Sequence, residues 1–227
     1  MEEKYNFMKI DGCIFDLDGT LLYTIDTIHY YLNKTLTEKG IGSINKEECR
    51  AMIGDGSVEL VRRALVVCGR YEPELLPIVH SAYLSAYNSD PCYLTRPYDG
   101  IPEAIDKLRE AGVYLAVWSN KPDSSVKPIV EHFFGDRFSL VRGSLPDTPL
   151  KPDPTVGYEI INRLDTSPSR VAFIGDMDID IKTSRALSVG LSVGAGWGFG
   201  KACELTDCDV LLADPRELAD CILRGGR

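Results

Sequence analysis

The sequence predicts an α/β protein: a Rossmann-like, doubly wound parallel sheet interrupted after its first strand by an inserted α-helical cap. Three observations carry that expectation. Short apolar runs rich in β-branched residues alternate with helix-like stretches over most of the 227 residues, the alternation that builds a parallel sheet. Between residues 23 and 94 the alternation stops and only helical spacing remains. The first apolar run ends in Asp16-Leu17-Asp18-Gly19, two acids and a turn at the strand end where open parallel sheets meet their ligands.

Taken in order, strands are expected at 9–15, 113–118, 138–142, 171–174, 191–194 and 209–212. Helices at 100–111, 124–134, 153–164 and 179–188 return the chain between strands, the last closed by Gly190 near its C-cap. Inside the interruption, 25–39, 46–53, 58–68 and 73–88 have helical spacing, and Pro91, Pro97 and Gly100 mark the return to the sheet. The expected division is a core of residues 1–22 and 95–227 with a helical cap of 23–94, placed as a lid over the carboxyl ends of the strands. An extra helical layer fixed on one sheet face is the alternative.

Composition narrows the function. Hydrophobic residues at 44% and charged residues at 26% suit an ordinary globular core, and no apolar run reaches the length of a membrane span. Residues 1–9 carry Glu2 and Glu3 and lack the basic flank and apolar run of a secretory signal, so a cytoplasmic protein is expected. Seven scattered cysteines without a C-x-x-C pair read as reduced thiols, mostly in the core. His29, His80 and His132 are too far apart in sequence to suggest zinc. A net charge of -9 disfavours binding to a nucleic-acid backbone, which needs clustered Lys and Arg. A small anionic substrate remains admissible if a metal ion and a few cations reverse the potential locally.

The chemistry is concentrated in the run from Ile14 to Leu22. Two carboxylates closing an apolar strand are costly to bury alone, and a divalent cation held by oxygen atoms is the natural companion. A solvated acidic turn is the other reading of D-x-D by itself.

Asp16 to Thr20 resembles the D-x-D-G-T signature of the haloacid dehalogenase superfamily, whose phosphatases form an aspartyl-phosphate. Trp118-Ser119-Asn120-Lys121-Pro122 resembles the second motif of that family, Lys151-Pro152-Asp153-Pro154 the third, and Gly175-Asp176-Met177-Asp178-Ile179-Asp180 the acidic fourth. The four stand in the family's order and cover essentially the whole core.

The resemblance implies a nucleophile at Asp16 and an acid–base at Asp18. It implies Ser119 as donor to a phosphoryl oxygen and Lys151 as the compensating cation, with Thr20 and Asn120 among the substrate-binding residues. It implies magnesium held by Asp16, the main-chain carbonyl of Asp18, Asp176 and Asp180, with Asp178 as a solvated neighbour. The residue types suit these roles. An aspartate is ionised at neutral pH and attacks phosphorus without a base. A second acid can protonate the leaving oxygen and then deprotonate water. The acid at Asp18 separates the chain from dehalogenases and phosphonate-cleaving relatives, which lack one there.

Within the cap, the stretch from Met52 to Leu65 resembles the I-G-x-G-x-x-x-L-x-x-R-A-L segment of phosphoglycolate phosphatases. That implies 2-phosphoglycolate as substrate, its carboxylate near Gly54, Gly56 and Ser57 at a helix N-terminus. A plain glycine turn with Ser57 as N-cap is the competing reading. Tyr23-Thr24 departs from the acidic and small hydroxyl residues many relatives carry there, which leaves the cap hinge open. The expected function is magnesium-dependent hydrolysis of a small phosphorylated metabolite, with no nucleic-acid or membrane partner, as monomer or homodimer. A β-phosphoglucomutase-like transferase, a pyrophosphatase or nucleotidase, and a non-catalytic binding module remain as alternatives.

Overall fold

In the computed structural model, which describes residues 9–226, the strand that leads into Asp16 lies inside a six-stranded sheet. That strand, β1 (Gly12–Phe15), leads through β2 (Leu22–Tyr23) into four helices: α1 (Ile25–Glu38), α2 (Lys46–Arg50), α3 (Gly56–Val67) and α4 (Leu75–Ser89). The chain returns through β3 (Arg96–Pro97) to α5 (Ile101–Glu110), β4 (Tyr114–Pro122), α6 (Asp123–Phe134) and β5 (Leu140–Ser144). It then alternates α7 (Thr155–Arg163), β6 (Val171–Gly175), α8 (Asp178–Leu187) and β7 (Leu191–Ala195), and ends with β8 (Val210–Leu212) and α9 (Leu218–Leu223). The acidic segment 1–8, on which the expectation about export rests, lies outside the described residues.

The sheet order is β5-β4-β1-β6-β7-β8, with every neighbouring pair parallel. The chain steps outward from β1 to β4 and β5, then crosses back to β6 on the other side of β1. That reversal opens a crevice at the carboxyl ends of the strands. Register sets Phe15 level with Val117 and Ile174, so the residues just past the three strands converge there.

Alternate residues of each strand enter different cores. Cys13, Phe15, Leu115, Val117, Ala172 and Ile174 pack with α5, α6 and α9, and this cluster continues into the four inserted helices. Ile14, Ala116, Trp118, Val171 and Phe173 pack on the other side with Val156, Ile160 and Ile161 of α7 and Leu187 of α8. Both faces are covered, which is why the strand sequences show runs rather than alternation.

Several expectations need correction. The first strand begins at Gly12, and β4 runs on to Pro122 because an irregularity lets it pair again with Ser144 of β5. The left-handed residue closing α8 is Ser188 at φ 53°, while the N–H of Gly190 donates to the Pro168 carbonyl at 3.0 Å. Asp55, not Ser57, stands at the N-cap of α3. Only Cys13, Cys49 and Cys221 are buried; Cys68, Cys92 and Cys208 are partly buried and Cys203 is exposed. Two elements escaped sequence reading. Strands β2 and β3 pair Leu22 with Pro97 and Tyr23 with Arg96, tying the exit and return of the helical insertion, and the Arg96 guanidinium lies 4.0 Å over the Tyr23 ring. Two residues are too few to show a period. Among the described residues, no helix is long and apolar enough to cross a membrane.

Candidate active site

The sheet delivers the acids. The Asp16 N–H donates to the Ile174 carbonyl at 2.9 Å, so the first residue beyond β1 is still held by β6. Asp176 directly follows β6, Ser119 to Lys121 close β4, and Lys151 enters from the loop between β5 and α7. Asp16, Ser119, Asn120, Lys151, Asp176 and Asp180 are all buried.

Asp16, Asp176 and Asp180 each offer a carboxylate oxygen within 4.8 Å of the others. Lys151 Nζ donates to Asp16 Oδ1 at 2.7 Å and to Asp180 Oδ1 at 2.6 Å. Thr20 Oγ1 donates to Asp176 Oδ1 at 2.9 Å, and the Phe199 N–H donates to Asp176 Oδ2 at 2.7 Å. Asp180 Oδ2 accepts from the Met177 N–H at 3.1 Å.

Three buried acids face one ammonium. Burial pushes the Asp16 carboxyl up to about 7, against the pull of Lys151 and with the help of Asp180 and Asp18. Burial, then the charges of Asp16 and Asp180, holds Asp176 well above the usual carboxylate range despite its donors Phe199 and Thr20. Burial works against the charge of Lys151, but Asp16 and Asp180 outweigh it and raise the ammonium above its ordinary value. An all-oxygen cluster with more acids than cations suits a hard divalent ion, which supplies the missing positive charge.

Asp18 lines the same cavity but lies outside this group of three. Both its carboxylate oxygens accept from Lys121 Nζ, at 3.2 and 3.1 Å, and that ammonium lies 4.4 Å over the Tyr87 ring. The side chain of Asp18 is thus engaged by Lys121, and the expected metal contact of Asp18 is the one through its main-chain carbonyl. Lys121 was missed as a site residue. Its signal was the strand period, which turns Ser119 and Lys121 to the same face of β4.

A cavity of about 60 Å³ lies between the strand ends and the inserted helices, lined by Asp16, Asp18, Ser119 and Lys151 below and Gly54, Gly56, Ser57 and Tyr87 above. At roughly 10–15 Å³ per water, it has room for about five waters, the scale of a small metabolite.

Three expected substrate residues have their side chains engaged elsewhere. Thr20 is fully buried and holds Asp176, outside the cavity lining. Asn120 Nδ2 donates to the Gly54 carbonyl at 3.0 Å and the Lys151 carbonyl at 3.2 Å, and its Oδ1 accepts from the Lys151 N–H at 2.8 Å. It fastens the glycine loop of the insertion to the lysine loop of the core. Ser57 Oγ shares a hydrogen bond with His80 Nε2 at 2.8 Å. Asp178 is half exposed and pairs with Lys182 at 2.5 Å, apart from the cluster.

The sequence profile of haloacid dehalogenase-like hydrolases matches residues 13–193. The chain is 29% identical to an N-acetylmuramic acid 6-phosphate phosphatase of Pseudomonas aeruginosa, over 96% of this chain and 96% of that protein. It is 30% identical to a phosphoglycolate phosphatase of Pectobacterium atrosepticum, over 89% of this chain and 88% of that protein. Among solved structures, a Lactobacillus delbrueckii subsp. bulgaricus protein described provisionally as a phosphoglycolate phosphatase superposes with a TM-score of 0.88 at 27% identity, covering 95% of this chain and 99% of that one.

Proposed function

The chain belongs to the haloacid dehalogenase-like hydrolase family, and from that premise we propose a magnesium-dependent phosphatase that hydrolyses a small phosphomonoester, 2-phosphoglycolate first, through an aspartyl-phosphate on Asp16. The observation that carries this reading is the buried cluster of Asp16, Asp176 and Asp180 around Lys151 at the floor of a small cavity. Magnesium fits an all-oxygen donor set built on carboxylates. Once bound, it offsets charge on the phosphoryl oxygens.

The chain's own groups account for two displacements. An Asp16 carboxylate oxygen attacks phosphorus, the bond from phosphorus to the ester oxygen breaks, and Asp18 gives that oxygen a proton. Water then attacks the acyl phosphate and yields its proton to Asp18, releasing inorganic phosphate and restoring Asp16. Lys121 orients the Asp18 carboxyl through both oxygens, and Lys151 steadies Asp16 and the incoming phosphoryl group. The helices 23–94 serve as a cap that closes over the cavity and excludes bulk water. Phosphate release from a panel of 2-phosphoglycolate, N-acetylmuramic acid 6-phosphate, other sugar phosphates, nucleoside monophosphates and pyrophosphate tests the reading. Metal-dependent release that favours the smallest acid supports it, and preference for the amino-sugar phosphate points to the function named for the Pseudomonas relative.

Gly56 offers a sharper test of the cap. It sits at φ +85°, and an added Cβ would lie 3.2 Å from Leu150 Cδ1 and 3.3 Å from the Asn120 carbonyl oxygen. Gly56→Ala therefore displaces the loop over the cavity, and we expect KM to rise about tenfold, from a strain near 1–2 kcal/mol, with magnesium affinity unchanged. An unaltered KM refutes substrate contact by this loop.

The acids also set a pH dependence. Asp16 stands at about 7 in the folded, metal-free protein against 3.8 ordinarily. Folding then takes up a proton between those values, and metal-free stability falls as pH rises through that window. A divalent ion competes with the same protons, so the magnesium-induced rise in Tm should be small near about pH 5.5 and large near about pH 8. Thermal unfolding in chelator and in magnesium across that range checks both signs.

A further inference from the structure

Residues 197–200 belong to none of the four motifs, yet this loop grips Asp176. The Phe199 N–H donates to Asp176 Oδ2 at 2.7 Å. Trp197 Nε1 donates to the Thr20 carbonyl at 3.0 Å, and Thr20 Oγ1 donates to Asp176 Oδ1 at 2.9 Å. Both carboxylate oxygens are thus fixed by the loop or by the residue it holds. The approach is close: a Cβ on Gly198 would lie 2.2 Å from the Asp176 Cβ.

The inserted helices hold the same loop from the other side. Arg50, the last residue of α2, donates through Nε to the Phe199 carbonyl at 2.6 Å and through Nη2 to the Gly198 carbonyl at 2.9 Å. Helix α2 is short but braced, since Asn45 Oδ1 accepts from the Glu48 N–H at 2.9 Å and Glu48 Oε2 accepts from the Asn45 N–H at 2.7 Å. The Gly198 carbonyl and the Phe199 N–H are opposite ends of one planar peptide unit. A guanidinium that fixes the carbonyl therefore aims the N–H at Asp176.

We propose that Arg50 is a positioning residue that couples closure of the helical insertion to the metal site, by holding the Gly198–Phe199 peptide with its N–H on Asp176. The proposal rests on the reading of Asp16, Asp176 and Asp180 as a divalent-cation site beneath a closing cap. When the insertion lifts, the guanidinium leaves both carbonyls, the peptide is free to turn and Asp176 loses a donor. Coupling of this kind is reciprocal: closure tightens cation binding, and the cation favours closure.

The test uses the full chain as wild type, Arg50→Ala and Arg50→Lys. Magnesium affinity is measured by calorimetry, and hydrogen exchange is followed in segments 46–50 and 197–200 with and without magnesium. Arg50→Ala should bind magnesium about 5- to 10-fold more weakly. Lysine, a point charge without the planar fork, should restore only part of that. In wild type magnesium should slow exchange in both segments, and in Arg50→Ala only in 197–200. Half-maximal activity should need correspondingly more magnesium, with kcat largely recovered at saturation. Wild-type magnesium affinity in Arg50→Ala, or in Arg50→Lys if the alanine variant does not fold, overturns the coupling. If wild type hydrolyses no phosphomonoester while its magnesium affinity still depends on Arg50, the catalytic reading fails and the coupling stands. If turnover is normal and magnesium affinity ignores Arg50, the coupling alone fails.

Discussion

Asp16→Asn is expected to lower phosphate release by about 10⁴-fold or more while making the metal-free protein more stable near neutral pH. The two effects have one origin. The carboxylate is the group that bonds to phosphorus, and an amide of nearly the same shape cannot replace it. The same carboxylate is buried and pushed up to about 7, so its ionisation opposes folding, and the neutral amide removes that opposition. Quenched wild-type enzyme should retain substrate-derived phosphate that hydroxylamine releases, as it does from acyl phosphates, and the variant should retain none. Turnover in the variant within tenfold of wild type would falsify covalent catalysis by Asp16.

Lys151→Met is expected to damage stability and turnover together. Lys151 is only 2% exposed at its side chain and touches Asp16 and Asp180 at 2.7 and 2.6 Å. Removing it leaves buried acids without their cation, a change that costs about 3–5 kcal/mol when one partner of a buried pair is lost. Proton uptake by Asp16 and Asp176 limits that cost, so the loss should shrink in acid. Magnesium should recover part of the stability by replacing positive charge. It should not recover turnover, which is expected to fall about 10²–10³-fold because the oriented donor at the phosphoryl group is gone. Denaturant unfolding in chelator and in magnesium, paired with phosphate release, separates the two. A variant as stable as wild type in chelator contradicts the electrostatic account of the cluster.

Much of this arrangement was legible before any coordinates. Asp16 and Asp176 each directly follow an apolar run, and the burial of both sheet faces made those runs visible as continuous stretches, whereas Lys151, in a loop, was legible through its motif alone. Local chemistry was less legible wherever it depended on partners distant in sequence. Thr20 and Asn120 were placed near the substrate because they stand inside the motifs, but Thr20 bonds Asp176 across 156 residues and Asn120 bonds Gly54 across 66. Lys121 stood within a quoted motif and still carried no sign that it would pair with Asp18. The two-residue strands β2 and β3 had no period to read.

The sequence by itself determined the parallel sheet, the helical interruption, the family and the set of acids at the strand ends, because hydrophobic runs and motif spacing are properties of contiguous residues. Only the tertiary structure decided which acids gather within reach of one cation, that Asp18 turns to Lys121 instead, and that Arg50 reaches the loop holding Asp176. Those outcomes follow from strand order and register. The crossover at β1 sets β4 and β6 on either side of it, and side-chain pairing across such a crossover leaves no periodic trace in the chain.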